Sequence, residues 1–221
     1  MTFRVETLDG DYGEAAARRI ADALAGGGSL VLTGGGTAHE VYPHLGGMKH
    51  DWDGVEVAFS DERCVPPDHI ASNYGMAKRL LLDAAGPPHV HRIRGELPPE
   101  RAAVGYAEAI RPLADRGFDV LLLGMGADCH IAALFPGSPA LASAHLAEAV
   151  DRPDGMAGIT LTPPALIGAK KVLLIVTGTS KAEAVRRAVA GDEVAEVCPV
   201  RLLADHPDAT FLLDEEAASA L

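Results

Sequence analysis

Residues 118–135 read FDVLLLGMGADCHIAALF, an apolar run that stops at glycines and then delivers a carboxylate and an imidazole. The apolar part, FDVLLLG at 118–124, shows no polar alternation, so a strand there is covered on both faces. Further runs of strand length are SLVL at 29–32, VEVAF at 55–59, KKVLLIVTG at 170–178 and ATFLLD at 209–214. Between them, 13–25, 73–85, 99–113 and 180–189 have helical character, and many begin beside Asp, Ser or Thr, the residues that cap helix N-termini. Strands buried on both faces and alternating with helices predict an α/β fold with a mostly parallel central sheet. In such sheets ligands bind beyond the carboxyl ends of the strands, so the residues after each run are the site candidates.

The chain has 221 residues, 48% of them hydrophobic, enough to build one domain over 1–221. Its formal net charge of -12 argues against a nucleic-acid partner, which needs clustered Lys and Arg. An anionic ligand must then be held locally, by a few cations and backbone amides. The start, MTFRVETLDGDYGEAAARRIADAL, has no basic region followed by an apolar run, and no stretch approaches the ~20 apolar residues of a membrane span. A soluble cytoplasmic protein with no membrane partner is expected. Cys64, Cys129 and Cys198 are odd in number and widely spaced, which suits a reducing compartment better than disulfides or a CxxC metal site. The Pro/Gly-rich AGPPHVHRIRGELPPE at 85–100 reads as a surface crossover.

Four clusters follow strand ends. Thr33-Gly34-Gly35-Gly36-Thr37 is either a tight turn or a phosphate cradle at a helix start; it is neither a full G-x-G-x-x-G nor a P-loop. Ser60-Asp61-Glu62-Arg63 places three charges after a buried strand, as the lining of a cleft or as a solvated, ion-paired loop. Ser72 and Asn73 then read as a helix start, with Lys78 and Arg79 facing solvent. In Gly124–His130, the imidazole of His130 is poised to take a proton and Asp128 is the local group that could orient it. A metal is disfavoured, because consecutive residues chelate one ion poorly and no second His/Cys cluster has ligand spacing. Thr177-Gly178-Thr179-Ser180-Lys181 is a second anion site or an ordinary helix cap with an exposed lysine.

Taken in order, SLVLTGGGT, WDGVEVAFSDERCVP with SN after it, FDVLLLGMGADCHIAALFPGSP, GITLT and VLLIVTGTSKAEAV resemble the 6-phosphogluconolactonase family, from near residue 15 to the closing FLLDEEAA. The resemblance implies a three-layer α/β/α sandwich like that of glucosamine-6-phosphate deaminases and ribose-5-phosphate isomerases. The implied reaction is hydrolysis of 6-phospho-D-glucono-1,5-lactone to 6-phosphogluconate in the oxidative pentose phosphate pathway, with no metal and no cofactor. The implied partner is a sugar-phosphate lactone, and the assembly a monomer or weak homodimer. His130 would be the general base, with Asp128 beside it and Asp61 and Arg63 near the reacting end. Gly34, Gly35, Gly36, Thr37, Thr179 and Lys181 would hold phosphate.

Three positions depart from the family pattern: Cys129 for glycine, Gly158 for arginine and Ala38 for proline. Cys129 is expected to strain a positive-φ turn or intrude on the pocket. Arg152 is the nearest residue to compensate for Gly158, and an arginine restored at 158 is expected to add a phosphate contact. In a deaminase, H-I-A is followed by F-N-E, whose glutamate assists the histidine; here Ala133-Leu134-Phe135 follow and supply no carboxylate. An isomerase or deaminase of the same superfamily, or a sugar-phosphate binder without this activity, are the alternatives.

Overall fold

The structure, a computed structural model, describes residues 3–86 and 89–221, so Pro87 and Pro88 of the expected crossover lie outside it. The strands are β1 (Arg4–Thr7), β2 (Gly28–Leu32), β3 (Val55–Phe59), β4 (Asp61–Arg63) and β5 (His89–Val90), then β6 (Val120–Leu123), β7 (Ala147–Asp151), β8 (Ala157–Leu161), β9 (Val172–Val176) and β10 (Ala209–Leu213). Seven of them form a wholly parallel sheet in the order β1-β10-β9-β6-β2-β3-β5. Every residue of β6 and β9 is buried, as their unbroken apolar runs require.

The main helices are α1 (Tyr12–Ala23), α2 (Gly36–Gly47), α3 (Asn73–Ala77), α4 (Asp83–Ala85) and α5 (Pro99–Asp115), followed by α6 (Pro163–Ile167), α7 (Ala182–Ala190) and α8 (Glu215–Ala218). They cover the sheet and share one buried apolar cluster with it, from Phe3 to Ala217. The predicted helix over 73–85 keeps its extent but not its type. It starts as α3 under a Ser72 cap, widens into a π-helical turn at Lys78–Leu82 and closes as α4. Lys78 and Arg79 are exposed, as expected. Among the described residues, no helix is long and apolar enough to cross a membrane.

Along the sheet, β3 and β5 continue from β2 in one direction while β9 and β10 continue from β6 in the other, so the crossovers reverse between β2 and β6. That reversal opens a crevice at the carboxyl ends of these two strands. Two buried tyrosines finish β2 and β3 at this end of the sheet. Tyr42 Oη donates to Thr33 O at 2.6 Å and accepts from Thr33 N at 2.9 Å, just past β2. Tyr106 Oη does the same for Phe59, at 2.6 Å and 2.7 Å.

Ser60–Arg63 is not a solvated loop. Asp61–Arg63 is β4, which pairs antiparallel with β8, and β8 pairs with β7, in a second three-stranded sheet. Successive side chains of a strand point to opposite faces, so Asp61 and Arg63 share one face and Glu62 takes the other. Glu62 is 2% exposed. Its Oε1 accepts from Arg63 N and Asn73 N, and its Oε2 from Ser72 Oγ and Tyr74 N, all at 2.7–2.9 Å. Burial pushes its carboxyl up from the usual range, and the four hydrogen bonds pull it back only in part. Glu62→Gln turns one acceptor oxygen into a donor facing two donors. Unfolding in denaturant should show a loss of about 2 kcal/mol or more, the scale of buried donors left unmatched.

Candidate active site

A cavity of about 170 Å³ opens at the crevice between β2 and β6. The glycine loop Thr33–Thr37, the turn Gly124–Gly126, Asp61, Arg63, His130, Arg152 and Lys181 all line it. Gly34, Gly35, Gly36 and Thr37 are thus brought to the predicted catalytic residues from the other side of the sheet's reversal point. A larger depression, about 1110 Å³, lies between α5 and the segment after β5, away from the predicted residues. Its charges are partly neutralised internally, as where Arg92 holds Glu96 through two hydrogen bonds.

His130 sits on a tight turn closed by Gly126 N donating to His130 O and Cys129 N donating to Gly126 O. Its Nδ1 lies 2.6 Å from Asp128 Oδ1. Burial works to raise the Asp128 carboxyl, but the charge and hydrogen bonds of His130 outweigh it and hold the group below its ordinary range. An ionised carboxylate only accepts, so Nδ1 carries the proton and the neutral ring keeps Nε2 as its basic nitrogen. The ring of Phe135 packs beside the imidazole, with centroids 4.6 Å apart. Asp128 itself does not line the cavity; it stands behind the histidine.

The departure at Cys129 is visible in the backbone. Cys129 has φ +68, the left-handed region that favours glycine, at a cost of roughly 1–2 kcal/mol. Its side chain does not intrude on the pocket: it is fully buried, with Sγ 3.8 Å from Ala184 O.

Asp61 is fixed by Ser60 Oγ at 2.8 Å and Asn73 Nδ2 at 3.0 Å. Arg63 Nη1 donates to Ala71 O at 2.7 Å and to Asn73 Oδ1 at 2.9 Å. Asn73, 1% exposed, therefore links the two charged residues and also lines the cavity. The sequence marked it only as a helix start. The signal for more was the pairing of an amide, which both donates and accepts, with an Asp and an Arg two residues apart.

The two predicted anion sites differ. The N-cap of α2 is Gly35, with φ +95 and no side chain to satisfy the free N–H groups of the first turn, and Gly35, Gly36 and Thr37 line the cavity. At Thr177–Lys181 the amides of Gly178 and Thr179 are already occupied. Gly178 N donates to both Asp214 oxygens, and Thr179 donates through N and Oγ1 to Glu216 Oε2. Thr179 does not line the cavity, and Lys181 does. Arg63, Arg152 and Lys181 thus face one lining carboxylate, Asp61, in a chain that is strongly acidic as a whole.

A family model described as glucosamine-6-phosphate isomerases/6-phosphogluconolactonase matches residues 6–212. The chain belongs to this family. A 6-phosphogluconolactonase of Mycobacterium tuberculosis is 35% identical over 233 residues, covering 94% of this chain and 93% of that protein. The crystal structure of 6-phosphogluconolactonase from Thermotoga maritima superposes with a TM-score of 0.88 at 26% identity, over 96% of this chain and all of that one. A monomeric glucosamine-6-phosphate deaminase gives the same TM-score at 23% identity, covering 99% of this chain and 100% of that one, so the three-layer fold is common to both activities.

Within this family framework, the expected gain from an arginine at 158 does not follow. A Cβ at Gly158 would lie 2.9 Å from Arg152 Cδ and 3.2 Å from Glu62 O, so the room is already filled by Arg152. Gly126 is likewise required for space: a Cβ there would lie 2.1 Å from His130 Nδ1 and 2.4 Å from Asp128 Oδ1. Gly126→Ala should expel the imidazole and break its bond to Asp128. The imidazole NMR signal of an Nδ1 proton held by a carboxylate, present in the native protein, should vanish in the variant.

Proposed function

We propose that the chain hydrolyses 6-phospho-D-glucono-1,5-lactone to 6-phosphogluconate, using no metal and no cofactor. The observation that carries this reading is the His130–Asp128 pair, 2.6 Å apart, at a cavity rich in cations. In this mechanism His130 Nε2 takes a proton from water as the oxygen attacks C1 of the lactone. The developing oxyanion is stabilised by Arg63, held in place by Asn73, while Asp61 orients the sugar. On collapse the bond from C1 to the ring oxygen breaks, and the imidazolium returns its proton to that oxygen. Asp128 steadies the charged ring throughout. The amides of Gly34–Thr37 at the start of α2, with Lys181 and Arg152, hold the phosphate.

Phe135 supports hydrolysis over deamination, because the side chain packed on the imidazole is a hydrocarbon ring and not a carboxylate. The same reading takes 1–221 as one catalytic domain, acting in the cytoplasm as a monomer or weak homodimer. Cys64, Cys129 and Cys198, all free thiols, fit a reducing compartment.

His130→Asn should lower kcat by roughly 10²–10⁴-fold against the spontaneous background, the range for losing a positioned base. In the same assay exhaustive chelation should leave the native rate unchanged, and ammonia release from glucosamine 6-phosphate should be absent. Near-native turnover by His130→Asn would remove this residue from the mechanism. Lys181→Ala should raise KM for the phosphorylated lactone about tenfold or more relative to unphosphorylated gluconolactone, as expected when one charge-assisted contact to an anion is lost. Equal weakening of both substrates would reassign the lysine.

A further inference from the structure

Arg152 follows the last residue of β7, where the chain turns back into β8 with Arg152 N donating to Met156 O at 3.0 Å and Gly155 at φ +81. Across the hairpin, Val150 pairs with Gly158 and Asp151 with Ala157. From this turn the side chain runs over Gly158: a Cβ there would meet Arg152 Cδ at 2.9 Å and Cγ at 3.3 Å. Real Cβ atoms do not approach so closely, so the stem of Arg152 fits only because position 158 has no side chain. Beyond that crossing the guanidinium reaches the cavity, with the side chain only 9% exposed. There it lies 5.5 Å above the Phe135 ring, with Nη1 3.9 Å from Asp61 Oδ2 and Nε 3.2 Å from Asp154 Oδ2.

We infer that Gly158 is a positioning residue whose missing side chain admits Arg152 to the cavity, and that Arg152 so placed selects phosphorylated over unphosphorylated lactone. For its substrate this rests on the lactonase reading above. The chemistry is that of a planar, permanently charged fork with little water around it, which matches a phosphate and gains little from a neutral hydroxyl.

The test compares KM and kcat on 6-phosphogluconolactone and on gluconolactone for the native chain, Gly158→Ala, Arg152→Ala, Arg152→Lys and the double variant Gly158→Ala/Arg152→Ala. Thermal melts accompany each to confirm folding. Gly158→Ala and Arg152→Ala should each raise KM for the phosphorylated lactone roughly ten- to a hundredfold more than for gluconolactone, the scale of one lost charge-assisted hydrogen bond, with kcat moving far less. The double variant should be no worse than Arg152→Ala, because both changes act through one side chain. Arg152→Lys should recover only part of the loss, lacking the fork. Additive losses in the double variant, or a Gly158→Ala KM equal to native, overturn the interlock. Equal losses on the two lactones in Arg152→Ala overturn the phosphate assignment. Should the native chain turn over neither lactone, the lactonase reading fails by itself. Calorimetric binding of inorganic phosphate then carries the test, with weaker binding in both single variants expected and unchanged binding contrary to it.

Discussion

A carboxylate with almost no access to water has to be met by donors, and the Glu62 side chain meets four. Three of them are on Ser72, Asn73 and Tyr74, so the demand of one buried charge ties the end of β4 to the start of α3. Everything on that side of the cavity hangs from this tie. Asn73, once held, bridges Asp61 and Arg63, and the alternation of β4 turns those two together while Glu62 points the other way. A slip of one residue in β4 would turn Asp61 and Arg63 to the face that Glu62 holds and present Glu62 in their place.

Three glycines shape the rest of the site by what they lack. A Cβ would strike Asn73 at Gly34, His130 at Gly126 and Arg152 at Gly158. In each case the neighbour it would displace is a polar side chain of the cavity. Cys129 is the counterpoint: its turn needs a positive φ, yet a side chain is accommodated there by pointing into the core. Space, more than backbone freedom, is the requirement at Gly126 and Gly158, neither of which has a positive φ.

The charge distribution follows the same local logic. The chain carries far more Asp and Glu than Lys and Arg, but three cations converge where β2, β4 and the later hairpin meet. Of the two strand-to-helix turns suited to an anion, the one after β9 is closed by the chain's own Asp214 and Glu216. The one before α2 is capped by a glycine with nothing to offer its amides, and it is this turn that lines the cavity. Of these two turns, internal carboxylates thus leave the one before α2 open to an external anion.

Five of the seven strands of the parallel sheet were legible in the sequence to within a residue or two, because burial on both faces demands an unbroken apolar run, a property of contiguous residues; the short, partly exposed β1 and β5 were not, and β5 lies inside the segment read as a surface crossover. The turns at the carboxyl ends of the legible strands, with His130, Asp61 and the glycine loop, were legible for the same reason. The second sheet was not: β4 has three charged residues and β7 reads AEAVD, and short, partly polar strands carry no signal apart from their partner β8. Nor could the sequence separate the open anion site from the closed one, since Glu216 lies 37 residues from Thr179. The role of Asn73 was hidden likewise, and so was the path of Arg152 across Gly158, although Arg152 itself was named as the nearest replacement for an arginine there. A local pattern records what a residue needs from its own segment, whereas these side chains are defined by gaps and partners on other segments, which exist only once the chain has folded.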